Sequence, residues 1–346
     1  MDGTNLAQFR SNHMRVMEQQ IIDNFMRELD QIEKYAPMLG SYSRIDPEVI
    51  EHDQAGHRFR FVTFHQESKN WYPTGLKEWS LIQMDATNFV RPNDVVFDLG
   101  CNAGYLTTWF ALRARRGFVH AFDPYPWNAA STRTQAKLND LSNVTVHAVG
   151  IGPERKTIRA PVISSMTFNV QIAGEIPQID LQIEPLASFI SARPTFAKID
   201  IEGAEHELGH SIIQSGVRRG YVEMHPPMIE AGGGRPALLL EQLLAADYAV
   251  ASHGPGVRPW GKGTGVQPTG YYFERPRRRW WWPFRTHRTS GAAQPKLAKS
   301  ANHWPLMSSS CTGNCRDRTL VGLEHLDSRV LLGIFQPFRR IYIAVY

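Results

Sequence analysis

The feature that most constrains this chain is a series of short apolar runs. Each ends near an acid or a glycine, and most lead into a helical pattern. "DVVFDLG" (94–100) precedes "YLTTWFALRAR", and "FVHAFDP" (118–124) precedes "NAASTRTQAKLNDL". "VTVHAVGI" (144–151) reads as a third strand. "TFAKIDI" (195–201) leads into "EHELGHSIIQSG", which Gly216 closes, and "RGYVEMH" (219–225) leads into "RPALLLEQLLAAD". "GYYFERP" (270–276) reads as a last strand. Continuous apolar strands alternate with helices when a parallel sheet is covered on both faces. The expected fold is therefore α/β, a doubly wound Rossmann-like sheet.

The flanks read differently. Met14, Met17, Ile21, Phe25, Leu29 and Ile32 recur at three- and four-residue steps, which predicts an amphipathic helix over 11–35 for packing or dimerisation. "RFRFVTFH" (58–65) predicts a strand or one arm of a hairpin, and "TGLKEWSLIQMDATNFV" a helix with Thr74 as its N-cap. After Phe273 periodicity stops, and "RPRRRWWWPFR" opens an Arg-, Trp-, Pro- and Ser-rich tail expected to be largely disordered. From Arg275 onward there are 13 Lys+Arg against 3 Asp+Glu, which leaves 25 against 30 in the rest of the chain. A mildly acidic body thus carries a basic tail, and the net charge of +5 describes neither part. The expected organisation is an N-terminal helix and strand extension (1–69), a catalytic domain (70–275) and the tail (276–346). Three cysteines (Cys101, Cys311 and Cys315) make no disulfide framework, so a reducing, cytoplasmic setting is expected. Neither a signal peptide nor a membrane span is expected.

The first strand–helix turn reads Asp98-Leu-Gly100-Cys-Asn102-Ala-Gly104-Tyr105. Ligands of doubly wound sheets bind at the carboxyl ends of strands, where this turn must admit a cofactor. Asn102 and Tyr105 stand where a dinucleotide fingerprint needs glycine, so a nicotinamide or flavin pyrophosphate fits poorly. The pattern suits a cofactor without a pyrophosphate. In this reading Gly100 and Gly104 give clearance, Asp98 meets a cationic amino group, and Asn102 tolerates unusual backbone angles while offering an amide. Asp123 ends the second strand, 19 residues after Gly104, where a carboxylate can accept two ribose hydroxyls.

The ordered set "VVFDLGCNAGYLT", "HAFDPYPWNAASTRTQAKLN", "VHAVGIG", "FAKIDIEGAEHEL" and "YVEMH" resembles the FkbM family of S-adenosylmethionine-dependent methyltransferases over roughly residues 70–250. The resemblance implies the class I methyltransferase fold, with seven strands of which the last is antiparallel. It also implies S-adenosyl-L-methionine as cofactor and O-methylation of a sugar, glycolipid, polysaccharide or polyketide-like hydroxyl. Carried over, Asp98, Gly100, Asn102 and Gly104 fall on the motif that holds the methionine part. Asp123 falls on the ribose-binding acid, and Gly150 falls near the adenine. Cys101 replaces the family's usual Ala and reads as packing. Gly209 and His210 depart from the family's Leu-Lys-Gly pattern, and the tail has no counterpart.

A sugar hydroxyl is a weak nucleophile, so a base that takes its proton helps. The candidates at strand ends are His225 first, then Asp200 and Glu202, with Glu223 beside them. Glu205 and Glu207 are expected in a first helical turn, where acids favour the helix dipole, and His206 as a partly exposed helical residue. Asp200, Glu202 and Glu223 are oxygen donors that a divalent ion can use, yet no H-x-x-E or Cys/His spacing supports one, so no metal is expected. Cys311 and Cys315 make only half a zinc site. The acceptor is expected to meet Trp71 and Tyr72, the 161–180 segment and the glycine-rich "MIEAGGGRP" loop, a candidate lid. The competing reading is a non-catalytic methyltransferase-fold binding protein. In it the basic Arg/Trp tail associates with a membrane or nucleic acid, whereas in the main reading the tail makes at most weak contact with a membrane surface and nucleic acid is not an expected partner.

Overall fold

In the computed structural model of the chain, residues 3–73, 84, 88–162, 177–253, 258–267 and 269–276 are described. Most of the helix expected at 74–90, residues 163–176 of the acceptor segment and the tail from 277 onward lie outside them.

The N-terminal helix Gly3–Ile32 is followed by an antiparallel hairpin of β1 (Arg44–Gln54) and β2 (His57–His65). Phe25 and Leu29 of the helix are buried in one core with Phe61 and Phe64 of β2 and with Trp109 and Trp127. The outer edge of β2 is covered by side-chain amides. Gln135 exchanges hydrogen bonds of 3.0 and 2.9 Å with the Val62 backbone, and Asn139 exchanges 2.8 and 2.7 Å bonds with the Arg60 backbone. Each amide stands in for a neighbouring strand, satisfying an edge that otherwise templates aggregation. This extension therefore packs into the same core as the sheet.

The central sheet is built from β3 (Val95–Leu99), β4 (Phe118–Phe122), β5 (Val144–His147), β9 (Phe196–Ile199), β10 (Arg219–Glu223), β11 (Ala249–Ser252), the two-residue β12 (Arg258–Pro259) and β13 (Gly270–Glu274). Its order is β12-β11-β13-β10-β9-β3-β4-β5. The β5, β4, β3, β9 and β10 pairings are parallel, while β13 lies antiparallel between β10 and β11. Without the short β12 this is the expected arrangement of seven strands with the last antiparallel. The strand order reverses beside β3, and the carboxyl end of such a switch point is where a doubly wound sheet binds its ligands.

Two expectations about elements need correction. The run 144–151 breaks at 148–149: Gly150–Gly152 forms β6, which joins a separate three-stranded sheet of order β6-β8-β7. Its partners are β7 (Lys156–Pro161) and β8 (Gln178–Pro185). "EHELGHSIIQSG" also divides, into a 3₁₀ turn Glu205–Glu207 and a helix Gly209–Ser215. Gly209 faces Gln242 so closely that a Cβ there would stand 2.1 Å from its Oε1, so the helix begins where a neighbouring helix passes.

Candidate active site

A cleft of about 670 Å³ opens at the carboxyl ends of β3, β4 and β9. Of the sequence-predicted residues, Gly100, Asn102, Asp123, Gly150, Asp200, Glu202 and His225 line it. Asp98 and Gly104 stand behind its wall.

Asp98 is fully buried. Its Oδ2 accepts a 2.6 Å hydrogen bond from Thr107, and Lys198 Nζ lies 3.7 Å from its Oδ1. The cation expected beside Asp98 is thus a lysine of the neighbouring strand. Burial raises the Asp98 carboxyl above the usual range, while Lys198 and Thr107 oppose the shift. The role given to the two glycines also changes. Gly100 has φ +79°, and a Cβ there would come within 1.7 Å of the Asp200 carbonyl oxygen. Gly104 has φ +90°, and a Cβ would meet the Thr132 backbone at 2.8 Å. Both are required by the protein's own backbone before any ligand arrives.

Asn102 adopts φ +48°. Its N–H donates to Asp123 Oδ2 at 2.9 Å, and its side-chain amide reaches Glu67 Oε1 at 3.4 Å. Asp123 also accepts from Tyr125 N–H at 2.9 Å and from the Asn128 amide at 3.2 Å. A carboxylate has about four lone-pair sites, so three donors leave room for one ribose hydroxyl. That is one fewer than the sequence suggested. Burial pushes the Asp123 carboxyl up to about 7, against the pull of these same donors.

The strand β9 and the turn after it assemble a second group. Lys198, only 3% exposed, donates to the Gly100 carbonyl at 2.6 Å and pairs with Asp200 Oδ2 at 3.0 Å. Burial disfavours its charge, yet Asp200 and Asp98 outweigh burial and leave its pKa above the ordinary lysine value. Glu202 takes the left-handed backbone, φ +53°, which turns the chain back towards the cleft. Glu205, expected in a first helical turn, opens the 3₁₀ turn Glu205–Glu207 and is fully buried there. It accepts from Ile201 N–H at 3.1 Å and from Gly203 N–H at 3.1 and 3.0 Å, and so ties the turn shut. Glu207 is exposed. His206 ends beside Gly203 O at 3.2 Å and against Gly234, where a Cβ would meet its ring at 2.3 Å.

His225 follows β10 as the residue before the helix Pro226–Ala231. Its Nδ1 donates to Glu205 Oε1 at 2.9 Å. Its Nε2 faces Glu202 Oε2 at 3.5 Å and Asp200 Oδ1 at 3.8 Å. Burial disfavours a charged ring here, but the Glu205 hydrogen bond and the carboxylates of Glu202 and Asp200 overrule it and push the pKa up to about 10. Such a ring already holds its proton at neutral pH, so His225 is no free base in this arrangement. Glu202 is raised to about 8 by burial and by Asp200, and Glu223, whose side chain is exposed, is raised chiefly by Asp200.

The remaining wall is apolar and aromatic. Tyr72, buried, stacks on Tyr105 with centroids 5.1 Å apart and rings 10° from parallel. Trp71 stays 40% exposed at the mouth, with Tyr42, Leu106, Tyr125 and Met228 deeper in. Cys101 is buried, with Sγ 3.4 Å from Thr132 Oγ1, and packs as expected.

No family model matches the chain, and no curated protein matches it. Solved structures similar to it include a SAM-dependent O-methyltransferase from Thermotoga maritima (12% identity, 68% of this chain and 79% of that one, TM-score 0.34). Another is M. jannaschii TYW2 in complex with AdoMet (15% identity, 68% and 89%, TM-score 0.32). A third is precorrin-6y C5,15-methyltransferase from Geobacter metallireducens (11% identity, 57% and 90%, TM-score 0.33). The doubly wound fold is given by the strand order of this chain itself.

Lys198 and Glu67 are site residues that the sequence does not single out, and Glu205, expected only in a helical turn, also belongs to the site. A signal existed for the first: a lysine inside the otherwise apolar "FAKI" must find buried carboxylates. Glu205 and Glu67 gave none, because each acts through a turn that only the folded chain closes.

Proposed function

We propose that the chain is an S-adenosylmethionine-dependent O-methyltransferase of the FkbM kind. Its acceptor would be a hydroxyl on a sugar, glycolipid, polysaccharide or polyketide-like molecule. The observation that carries this reading is the convergence of two groups on one cleft. Asn102, Asp123 and Gly150 line one part, and Asp200, Glu202 and His225 line another. A cofactor seated by the first group supplies an activated methyl to whatever the second group holds.

The residues fit such a cofactor. The cleft volume lies in the range of small-molecule sites. Asp123 has one lone-pair site for a ribose hydroxyl, and Gly150 leaves its side of the cleft without a side chain. The acceptor hydroxyl then lies against Asp200 and Glu202, and the Asp200 carboxylate accepts its hydrogen bond and draws the proton off as the new bond forms. His225, held by Glu205, fixes the position of both side chains. Tyr72, Tyr125 and Leu106 keep water from the reacting oxygen, and Trp71 offers a face on which a sugar ring can stack. Residues 1–276 are the functional unit in this reading, with no part assigned to the tail.

Calorimetry with S-adenosylmethionine, followed by transfer of labelled methyl to sugar and glycolipid extracts, tests the proposal. Binding heat and transfer that fall with Asp200→Asn and Glu202→Gln support it. Absence of any binding heat sinks it.

A further inference from the structure

We infer that Asp200, Glu202 and His225 form a binding site for one divalent transition ion of the Mn²⁺ or Zn²⁺ class, facing the acceptor side of the cleft. The inference rests on the proposed function for the ion's role, but not for its existence.

The donor set is mixed, two carboxylates and an imidazole, and one ligand atom from each lies within 4.8 Å of the others. The distances from His225 Nε2, 3.5 Å to Glu202 and 3.8 Å to Asp200, are both longer than a charge-assisted hydrogen bond of about 2.7–2.9 Å. They come near the edge of a coordination shell. Metal–ligand bonds of about 2.1 Å give ligand–ligand edges of about 3.0 Å in an octahedron and about 3.4 Å in a tetrahedron. Each ligand is also fixed from outside the set. Glu205, itself fully buried and anchored by the N–H groups of Ile201 and Gly203, takes His225 Nδ1–H and so presents Nε2 to the cleft, where the ion takes the place of the Nε2 proton. A carboxylate on the far nitrogen is the usual support of a metal-bound histidine. Lys198 takes Asp200 Oδ2 and leaves Oδ1 on the His225 side. The left-handed turn at Glu202 brings its carboxylate back to the same point.

Imidazole among the donors suits Zn²⁺ or Fe²⁺ and disfavours Mg²⁺ and Ca²⁺, while the two carboxylates also suit Mn²⁺. Three protein ligands on one side leave positions open towards the cleft. An acceptor with one or two adjacent hydroxyls would fill them, and its proton would leave more readily from a metal-held oxygen.

The test is a titration of the full-length, chelator-stripped protein with Mn²⁺, followed by electron paramagnetic resonance of the free ion and by calorimetry. S-adenosylmethionine binding is measured on the same samples. One ion per chain is expected, with affinity at least tenfold weaker in His225→Ala and in Glu202→Gln. In Glu205→Gln it should be about 10- to 100-fold weaker through the lost support. Circular dichroism melts report whether each variant folds, and Glu202→Gln lies on a partly exposed turn that tolerates the change. No stoichiometric Mn²⁺ binding in the wild type overturns the inference, as does equal binding by folded His225→Ala and Glu202→Gln. Mn²⁺ binding without S-adenosylmethionine binding would sustain the ion site and sink the methyltransferase reading.

Discussion

The ammonium of Lys198 lies 3.0 Å from the carboxylate of Asp200 and couples the strand β9 to the turn that follows it. The same ammonium also holds the Gly100 carbonyl at 2.6 Å and faces buried Asp98 at 3.7 Å, so one cation organises both halves of the site. Breaking a buried pair by removing one partner leaves an uncompensated charge and costs about 3–5 kcal/mol. Lys198→Met should therefore lower stability by that order in chemical denaturation. Adding Asp98→Asn should return part of the loss, since it removes the stranded charge. If the double variant is no more stable than the single, Lys198 is not balancing Asp98.

Gly100 and Gly216 share nearly the same backbone, φ +79° and +77°, but only Gly100 has a neighbour within reach of a Cβ. Left-handed backbone alone costs a non-glycine residue about 1–2 kcal/mol. Gly216→Ala should fold with a loss of that size. Gly100→Ala must also displace the Asp200 carbonyl, and should yield little folded protein. Comparable melting curves for the two variants would show that the carboxyl ends of β3 and β9 can move apart.

How much of this was legible beforehand depends on how local each signal is. Strand ends such as Asp123 and Asp200 follow from apolar periodicity alone, because a buried parallel strand has to end where polar residues begin. The roles of Asp98 and Gly104 were not legible. A glycine that accommodates a ligand and one that accommodates the next strand read the same, and an acid needs its partner strand to show whether it faces a cleft or a lysine. The break at 148–149 was hidden for a similar reason. Both pieces are apolar, and only the pairing of Gly150–Gly152 with β8 separates them. Strand β11 carries "AVAS", too short and too small to stand out from the helix before it.

Glu205 makes a sharper prediction than its neighbours. Its carboxylate satisfies two backbone N–H groups and His225 while fully buried. An unsatisfied buried donor costs about 1–3 kcal/mol. Glu205→Ala should thus destabilise by a few kcal/mol and reduce methyl transfer, while Glu207→Ala, exposed on the same turn, should change stability by no more than about 0.5 kcal/mol. Paired urea melts and single-turnover transfer assays measure both. Equal effects would mean that the turn is not closed by Glu205.

Removing the tail tests where the functional unit ends. Arg275 N–H bonds the Arg218 carbonyl at 2.8 Å, and its guanidinium lies 5.7 Å over Tyr248. The functional unit therefore extends at least through Arg275 and not only to the last strand residue, Glu274. A chain of residues 1–276 should bind S-adenosylmethionine with unchanged affinity, whereas one ending at Glu274 should melt lower. Loss of cofactor binding in the longer of the two would place part of the site in the tail.

Asp123 sets a pH dependence whose sign can be worked out. Burial lifts its carboxyl from an ordinary 3.8 to about 7 in the folded chain. Between those values the folded protein holds a proton that the unfolded chain has released. The contribution to stability is complete below the lower value and is lost as pH rises through the higher one. A ribose hydroxyl donates to the ionised carboxylate, so cofactor affinity should move the opposite way, rising over the same range and levelling above about pH 7. Asp123→Asn removes the titrating group. The difference in melting temperature between wild type and variant should therefore shift against the wild type as pH is raised from about 4 to about 8. The variant's weaker cofactor binding should show no slope from this position. Calorimetric titrations and thermal melts across that range measure both arms. A wild-type affinity that is flat with pH would mean that Asp123 does not meet the cofactor.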